Sequence, residues 1–131
     1  MGRFTRIAAA GLLAVGIMGS APRAFASHGG GGDVIKEGPC SGTSDWKLKL
    51  SPENGRLEVE FEVDQNVIGD TWNVRMKDNG AVFFRGQAVT KGPSGSFEVR
   101  KVTADRPGTD NVVALARNLS TGETCKGSAS I

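Results

Sequence analysis

Tyrosine is absent from this chain, histidine occurs once and cysteine twice. The side chains that usually carry nucleophilic and general acid–base chemistry are therefore almost missing. The one histidine, His28, stands in SHGGGGDVIKEGP, where no packing holds an imidazole within hydrogen-bond reach of a serine. A Ser-His-Asp triad has no base to build on. A hydrolase built on paired carboxylates would need a cleft, and in so short a chain the acids fall on open sheet faces or in turns. The expectation is a protein that is not an enzyme and needs no cofactor.

Long apolar runs are also wanting. The longest, Ile7 to about Gly19, falls short of the roughly 20 apolar residues a membrane-crossing helix needs. It follows Arg3 and Arg6 and precedes Ala24-Phe25-Ala26, the order of a secretory signal peptide over residues 1–26. No lipobox cysteine lies near the cut and no hydrophobic or sorting-type tail precedes Ile131, so a released, extracellular chain of residues 27–131 is expected. That length suits one domain. Cleavage also changes the charge, because Arg3, Arg6 and Arg23 leave while all 14 acidic residues stay with the 13 remaining basic ones. A net charge near minus one gives no support for nucleic acid or an anionic membrane as partner.

Two cysteines are too few for a zinc site and lack C-x-x-C spacing. In an oxidising compartment Cys40 and Cys125 are expected to pair. The bridge would close a loop of about 86 residues, for which the chain-entropy model gives roughly 4.5 kcal/mol.

What is present is alternation. Residues 27–39 read as a flexible glycine-rich leader, and from Cys40 to Ile131 the chain reads as one domain. Trp46, Leu48 and Leu50 share a face with Lys47 and Lys49 between them; Leu57, Val59, Phe61 and Val63 alternate with Glu58, Glu60, Glu62 and Asp64. With SPENG as the linker, the expected register sets Leu50 against Leu57 and Trp46 against Phe61, and pairs Lys49 with Glu58 and Lys47 with Glu60. The acidic ladder then reads as a solvated sheet face. TWNVRMK turns Trp72, Val74 and Met76 inward before an Asp78-Asn79-Gly80 hairpin. In the return strand a two-residue loop pairs Met76 with Phe83 and leaves Phe84 outside beside Arg75; a three-residue loop leaves Phe83 outside. One aromatic is thus expected either as a contact residue or under a bulge near Gly86. Phe83, Phe84 and Arg75 are candidate binding residues.

SFEVRKVT, NVVALARN and TCKGSASI complete about seven strands with turn-rich connections and no helical period. The fold class is all-β, an antiparallel β-sandwich of immunoglobulin-like or fibronectin type III-like kind. The cysteines flank the first strand and lie in the last, unlike the immunoglobulin pair on the second and sixth. In an up-and-down walk the SPENG, DNG and ADRPGTDN connections share one end, which would gather Glu53, Asp78, Asp105 and Asp110. Hard oxygen ligands of that kind could hold Ca²⁺, and the same residue types also favour turns for conformational reasons alone. A cleaved Ser27-His28 terminus could chelate Cu(II), or be plain soluble leader. Asn118-Leu119-Ser120 fits a glycosylation sequon and equally a turn before Gly122.

Taken together, CSGTSDWKLKL, GRLEVEFEVD, GDTWNVRMKDNG and GETCKGSASI resemble the small secreted single-domain proteins of actinobacteria, a group without an assigned activity. The resemblance implies a bacterial extracellular setting and supplies no active residues. The expected function is surface or loop contact with an extracellular protein or cell-envelope glycan by a monomer. The alternative is an inhibitor of secreted hydrolases that offers KGPSGS or ADRPGTDN to an enzyme cleft.

Overall fold

A computed structural model describes residues 32–131, so residues 1–26, expected as a signal peptide, and Ser27-His28 lie outside the described residues. Eight antiparallel strands follow one another: β1 (Val34–Pro39), β2 (Asp45–Glu53), β3 (Arg56–Asp64), β4 (Thr71–Asp78), β5 (Ala81–Val89), β6 (Ser96–Ala104), β7 (Asn111–Asn118) and β8 (Thr124–Ser130). They form two four-stranded sheets, ordered β1-β2-β3-β6 and β5-β4-β7-β8. The chain crosses between sheets after β3, after β5 and after β6, which is the Greek-key wiring of immunoglobulin-like sandwiches with one strand added at the N-terminus.

The period-two segments meet as inner faces. Leu48, Leu50, Leu57, Val59, Phe61 and Val63 of the first sheet are buried against Trp72, Val74, Met76, Val112, Ala114 and Ala116 of the second. Trp72 and Phe97 pack ring to ring across the gap with centroids 5.9 Å apart.

Two details correct the expected pairing. The β2–β3 connection is only Asn54-Gly55, both at positive φ (53° and 77°), so Pro52 and Glu53 extend β2. The two-residue turn with both positions left-handed suits the strand twist, and Asn-Gly is the pair that tolerates it. Register therefore sits two residues from the expected one: Leu50 faces Val59, Trp46 faces Val63, Lys49 faces Glu60 and Lys47 faces Glu62. A shift of two keeps every side chain on its face. The second correction concerns the leader. Of its expected span, residues 27–31 lie outside the described residues, but Val34–Pro39 is strand β1, paired from Val34↔Leu50 to Pro39↔Asp45. Its one tight requirement is Gly38. The Trp46 ring lies between Gly38 and Gly127 of β8, and a β-carbon would come within 2.9 Å of the ring at the first and 2.7 Å at the second.

Cys40, just past β1, is disulfide-bonded to Cys125 of β8 with their Cα atoms 4.3 Å apart, so the bridge clasps the β1 and β8 edges of the two sheets. Hydrogen bonds sew the same corner. Ser41 donates its N–H to the Thr124 carbonyl (2.8 Å), and the Glu123 carboxylate accepts from the N–H groups of Gly42 (3.0 Å) and Ser44 (2.8 Å) and from the Ser44 hydroxyl (2.7 Å).

The loops at this end are tied by a polar cluster. Gln65 donates to Asp70 Oδ2 (2.6 Å) and accepts from Trp72 Nε1 (3.0 Å), and Asn118 donates to the same Asp70 oxygen (3.0 Å). Asn118 is fully buried, and its side-chain oxygen accepts the N–H groups of Ser120 and Thr121. The sequon asparagine thus organises the β7–β8 turn and does not present its amide to solvent.

Candidate functional site

Strands alternate, so the outer face of the second sheet is read from the outward residues of β5, β4, β7 and β8. Cross-strand pairing lays them in rows: Gln87–Asn73–Arg117–Thr124, then Arg85–Arg75–Leu115–Lys126, then Val82–Lys77–Val113–Ser128. The face holds five cations, Arg75, Lys77, Arg85, Arg117 and Lys126, and no carboxylate. The only acidic residue in these four strands is Asp78, which is turned inward and fully buried. Among the described residues none of the five has a carboxylate partner within 4.0 Å; the ion pairs involve Lys47, Lys49, Arg100 and Arg106 instead.

Arg75 and Arg85 are direct cross-strand partners. Like charges placed so are destabilising by a few tenths of a kcal/mol or more, roughly 0.2–1 in scale. With Arg117 they border a shallow depression of about 480 Å³ that is also lined by Leu115 and by the Gln87–Asn73 amide pair, hydrogen-bonded at 3.0 Å. Guanidinium forks match carboxylate, sulfate or phosphate oxygens two at a time. The amides can meet hydroxyls, and Leu115 offers apolar contact. The residues that line the depression are guanidinium, amide and apolar groups, a set with the chemistry to hold and orient an anion.

The opposite face is closed on itself. Arg100 pairs with Glu58 (2.6 Å) and Glu60 (3.7 Å), Lys47 with Glu62 (3.8 Å) and Lys49 with Asp33 (3.6 Å). Burial and a hydrogen bond with Glu98 hold the Glu60 carboxyl above the usual carboxylate range. The acidic ladder is a network of ion pairs at the surface, as the alternation suggests.

Of the candidate contact residues, Arg75 lies on the basic face and the two aromatics do not. The β4–β5 loop is the two-residue Asn79-Gly80, but a bulge follows: Lys77 pairs with Val82 and Met76 with Phe84, leaving Phe83 as the extra residue. The bulge turns both rings toward the core, where both are half-buried. Neither phenylalanine is left outside, because one added residue re-aims the strand between them. Lys101 of β6 covers Phe84, its Nζ 4.8 Å above the ring centroid.

The expected calcium quartet is brought together only in part. The β2–β3 turn, the β4–β5 turn and the β6–β7 loop do share one end. Asp78 and Asp110 are buried there and Asp105 reaches Asp110, whereas Glu53 stays exposed on its hairpin opposite Arg56. Asp110 contacts the other two, which are strung on either side of it. Among the described residues no group of three or more His, Cys, Asp or Glu side chains is arranged to hold a metal ion.

Comparison with family models, with curated proteins and with solved structures finds no match to this chain. Sequence reasoning singled out Arg75 alone because the five cations are spread over four strands, two in β4 and one each in β5, β7 and β8, and only cross-strand pairing gathers them. The legible signal was the lack of any acid in the outward positions of four consecutive-face strands.

Proposed function

We propose that this chain is a secreted, non-enzymatic binding module that meets an anionic extracellular glycan through the outer face of the β5-β4-β7-β8 sheet. The observation that carries the reading is the directly opposed Arg75–Arg85 pair beside Arg117, with no carboxylate on their face to neutralise them. An anion relieves that repulsion and gains bidentate hydrogen bonds. The amide pair and Leu115 add contacts a sugar ring can use. Secretion rests on the signal-like residues 1–26, and the disulfide is compatible with it. The inhibitor alternative has less support. KGPSGS is pinned by Gln65 N–H and Asn66 N–H to the Gly95 carbonyl and by the Lys91–Ser96 bridge, and ADRPGTDN by Asn79 to Thr109 and Asp110 to Ile131, so neither is an extended segment.

The test is calorimetric binding of the disulfide-bonded chain to a uronic-acid or phosphate-bearing polysaccharide and to a neutral one. Exposed charge contacts are worth up to about 1 kcal/mol each, so replacing Arg75, Arg85 and Arg117 together by Gln should weaken binding by roughly ten- to a hundredfold. Lys47→Gln on the other face should leave it unchanged. Equal binding of the neutral polymer, or no loss in the triple variant, would overturn the reading.

A further inference from the structure

The mechanism of anion binding leaves one buried charged cluster unused, at the end of the sandwich away from the disulfide. Asp78 closes β4, and Asp110 stands just before β7. Asp78 is 0% exposed and neither of its carboxylate oxygens has a hydrogen-bond partner; Asp110 is 1% exposed and one of its oxygens has none. The two side chains contact each other, and Asp105 contacts Asp110 from the solvent side. The cation at hand is Arg106, whose Nε lies 3.6 Å from Asp78 Oδ2.

The surroundings supply one further donor to the pair, the main-chain N–H of Arg106 at Asp110. Ile131 exchanges two main-chain hydrogen bonds with Asp110, its α-carboxyl oxygen accepting from the Asp110 N–H, and Asn79 bonds Asn111 and Thr109 through amides, which do not titrate. Asp78 and Asp110 are closed to water and share one guanidinium that is itself half-exposed, which leaves excess negative charge between the two buried carboxyls. Buried charges of that kind are neutralised by a proton or a partner. Two carboxyl groups in contact can share one proton, the protonated one donating to the ionised one.

We propose that Asp78 and Asp110 form a proton-shared carboxyl pair that latches the β4–β5 turn to the β6–β7 loop and loosens as the pH rises. Asp110 holds the proton and donates it to Asp78, whose Oδ2 faces Arg106. Burial, and then the hydrogen bond with Asp78, raise the Asp110 carboxyl above the usual range; the hydrogen bond with Asp110 raises Asp105 likewise. The sign follows. A raised folded pKa contributes stability that is fully present below the ordinary carboxylate pKa and is lost as pH climbs through the raised value. Loss of the proton puts a second negative charge beside Asp78, and the exposed loop is the part free to give way.

Side-chain carboxyl ¹³C NMR of the disulfide-bonded chain tests this directly. The Asp110 carboxyl should titrate above the ordinary range, the Asp78 carboxyl carbon should shift in the same step, and amide exchange over residues 105–111 should quicken past it. Asp110→Asn, which mimics the protonated form, should melt several degrees above wild type at pH 8, with the gap closing toward pH 4. Independent titration at ordinary values, or an Asp110→Asn variant that melts lower by the same amount at both pH values, would overturn the latch. A melting shift with added calcium and none with pH would replace the proton by a cation and overturn it too. If Asp110→Asn does not fold, the wild-type titration still decides.

Discussion

The Cys40–Cys125 bridge spans 85 residues of sequence and ties the outermost strand of one sheet to the outermost strand of the other. Cutting it frees nearly the whole unfolded domain, for which the chain-entropy model gives about 4.5 kcal/mol. The native state softens the loss only slightly. The Glu123 and Ser41 hydrogen bonds keep the corner docked, but they act within the folded state and do not constrain the unfolded one. Cys125 is fully buried, so Cys40→Ala with Cys125→Ala also removes two packed sulfur atoms. A net destabilisation of about 3–4.5 kcal/mol is expected, near the upper part of the usual range for small domains. At about 4–8 °C per kcal/mol for a domain of this size, melting should fall by roughly 15–30 °C. Circular-dichroism melts of the double variant, and of wild type with and without a reductant, read this out. The urea m-value should rise as well, because the reduced unfolded chain exposes more surface. An unchanged melting temperature under a reductant that demonstrably frees both thiols would refute the reasoning.

Two further outcomes follow from individual carboxylates. Glu123→Ala removes an acceptor of three hydrogen bonds and strands the N–H groups of Gly42 and Ser44, which should cost about 1–3 kcal/mol in urea unfolding, with Glu123→Gln recovering part of it; a change under half a kcal/mol would show that water replaces the carboxylate. Asp70 behaves oppositely to Asp110: hydrogen bonds first from Asn118 and then from Gln65 hold its carboxyl below the usual range, so its contribution is present above the ordinary carboxylate pKa and is lost as pH falls through the lowered one. Wild type should therefore lose its advantage over Asp70→Asn as the solution is acidified, and an advantage independent of pH between 7 and 2 would count against the assignment.

The fold was legible where burial enforces a period of two. Leu57 to Val63 announces both its faces, and the inner faces of β2, β4, β7 and β8 follow from the same rule. Pairing was less legible, because matching apolar faces leaves registers two residues apart equally acceptable. The turn chooses between them, and the choice lay in reading Asn54-Gly55 alone as the turn within SPENG. Phe83-Phe84 was ambiguous for a related reason: no alternation rule places two adjacent aromatics, and only a bulge can turn both inward. Strand β1 was the hardest to see. As an edge strand it buries little beyond Val34 and exposes Ile35, so its composition matches a solvated leader and its order comes from pairing with β2. The acidic cluster was half legible, since loop connectivity gathers Asp78, Asp105 and Asp110 but does not say that Glu53 points away.

The candidate site was hidden by an average. A net charge near zero describes a molecule of evenly mixed surface, yet here the signs are sorted by sheet. In the first sheet Lys47 and Arg100 stand beside glutamates on neighbouring strands and pair with them. In the second sheet five cations face solvent together. The two outer faces are separated by the apolar core, with packed sheets lying about 10 Å apart and the charges farther still. That exceeds the screening length of about 8 Å at physiological salt. An anion approaching the second sheet therefore meets Arg75, Arg85, Arg117, Lys77 and Lys126 with little opposition from the glutamates behind. Net charge bounds the behaviour of a chain toward distant ions, whereas a ligand at contact responds to one face.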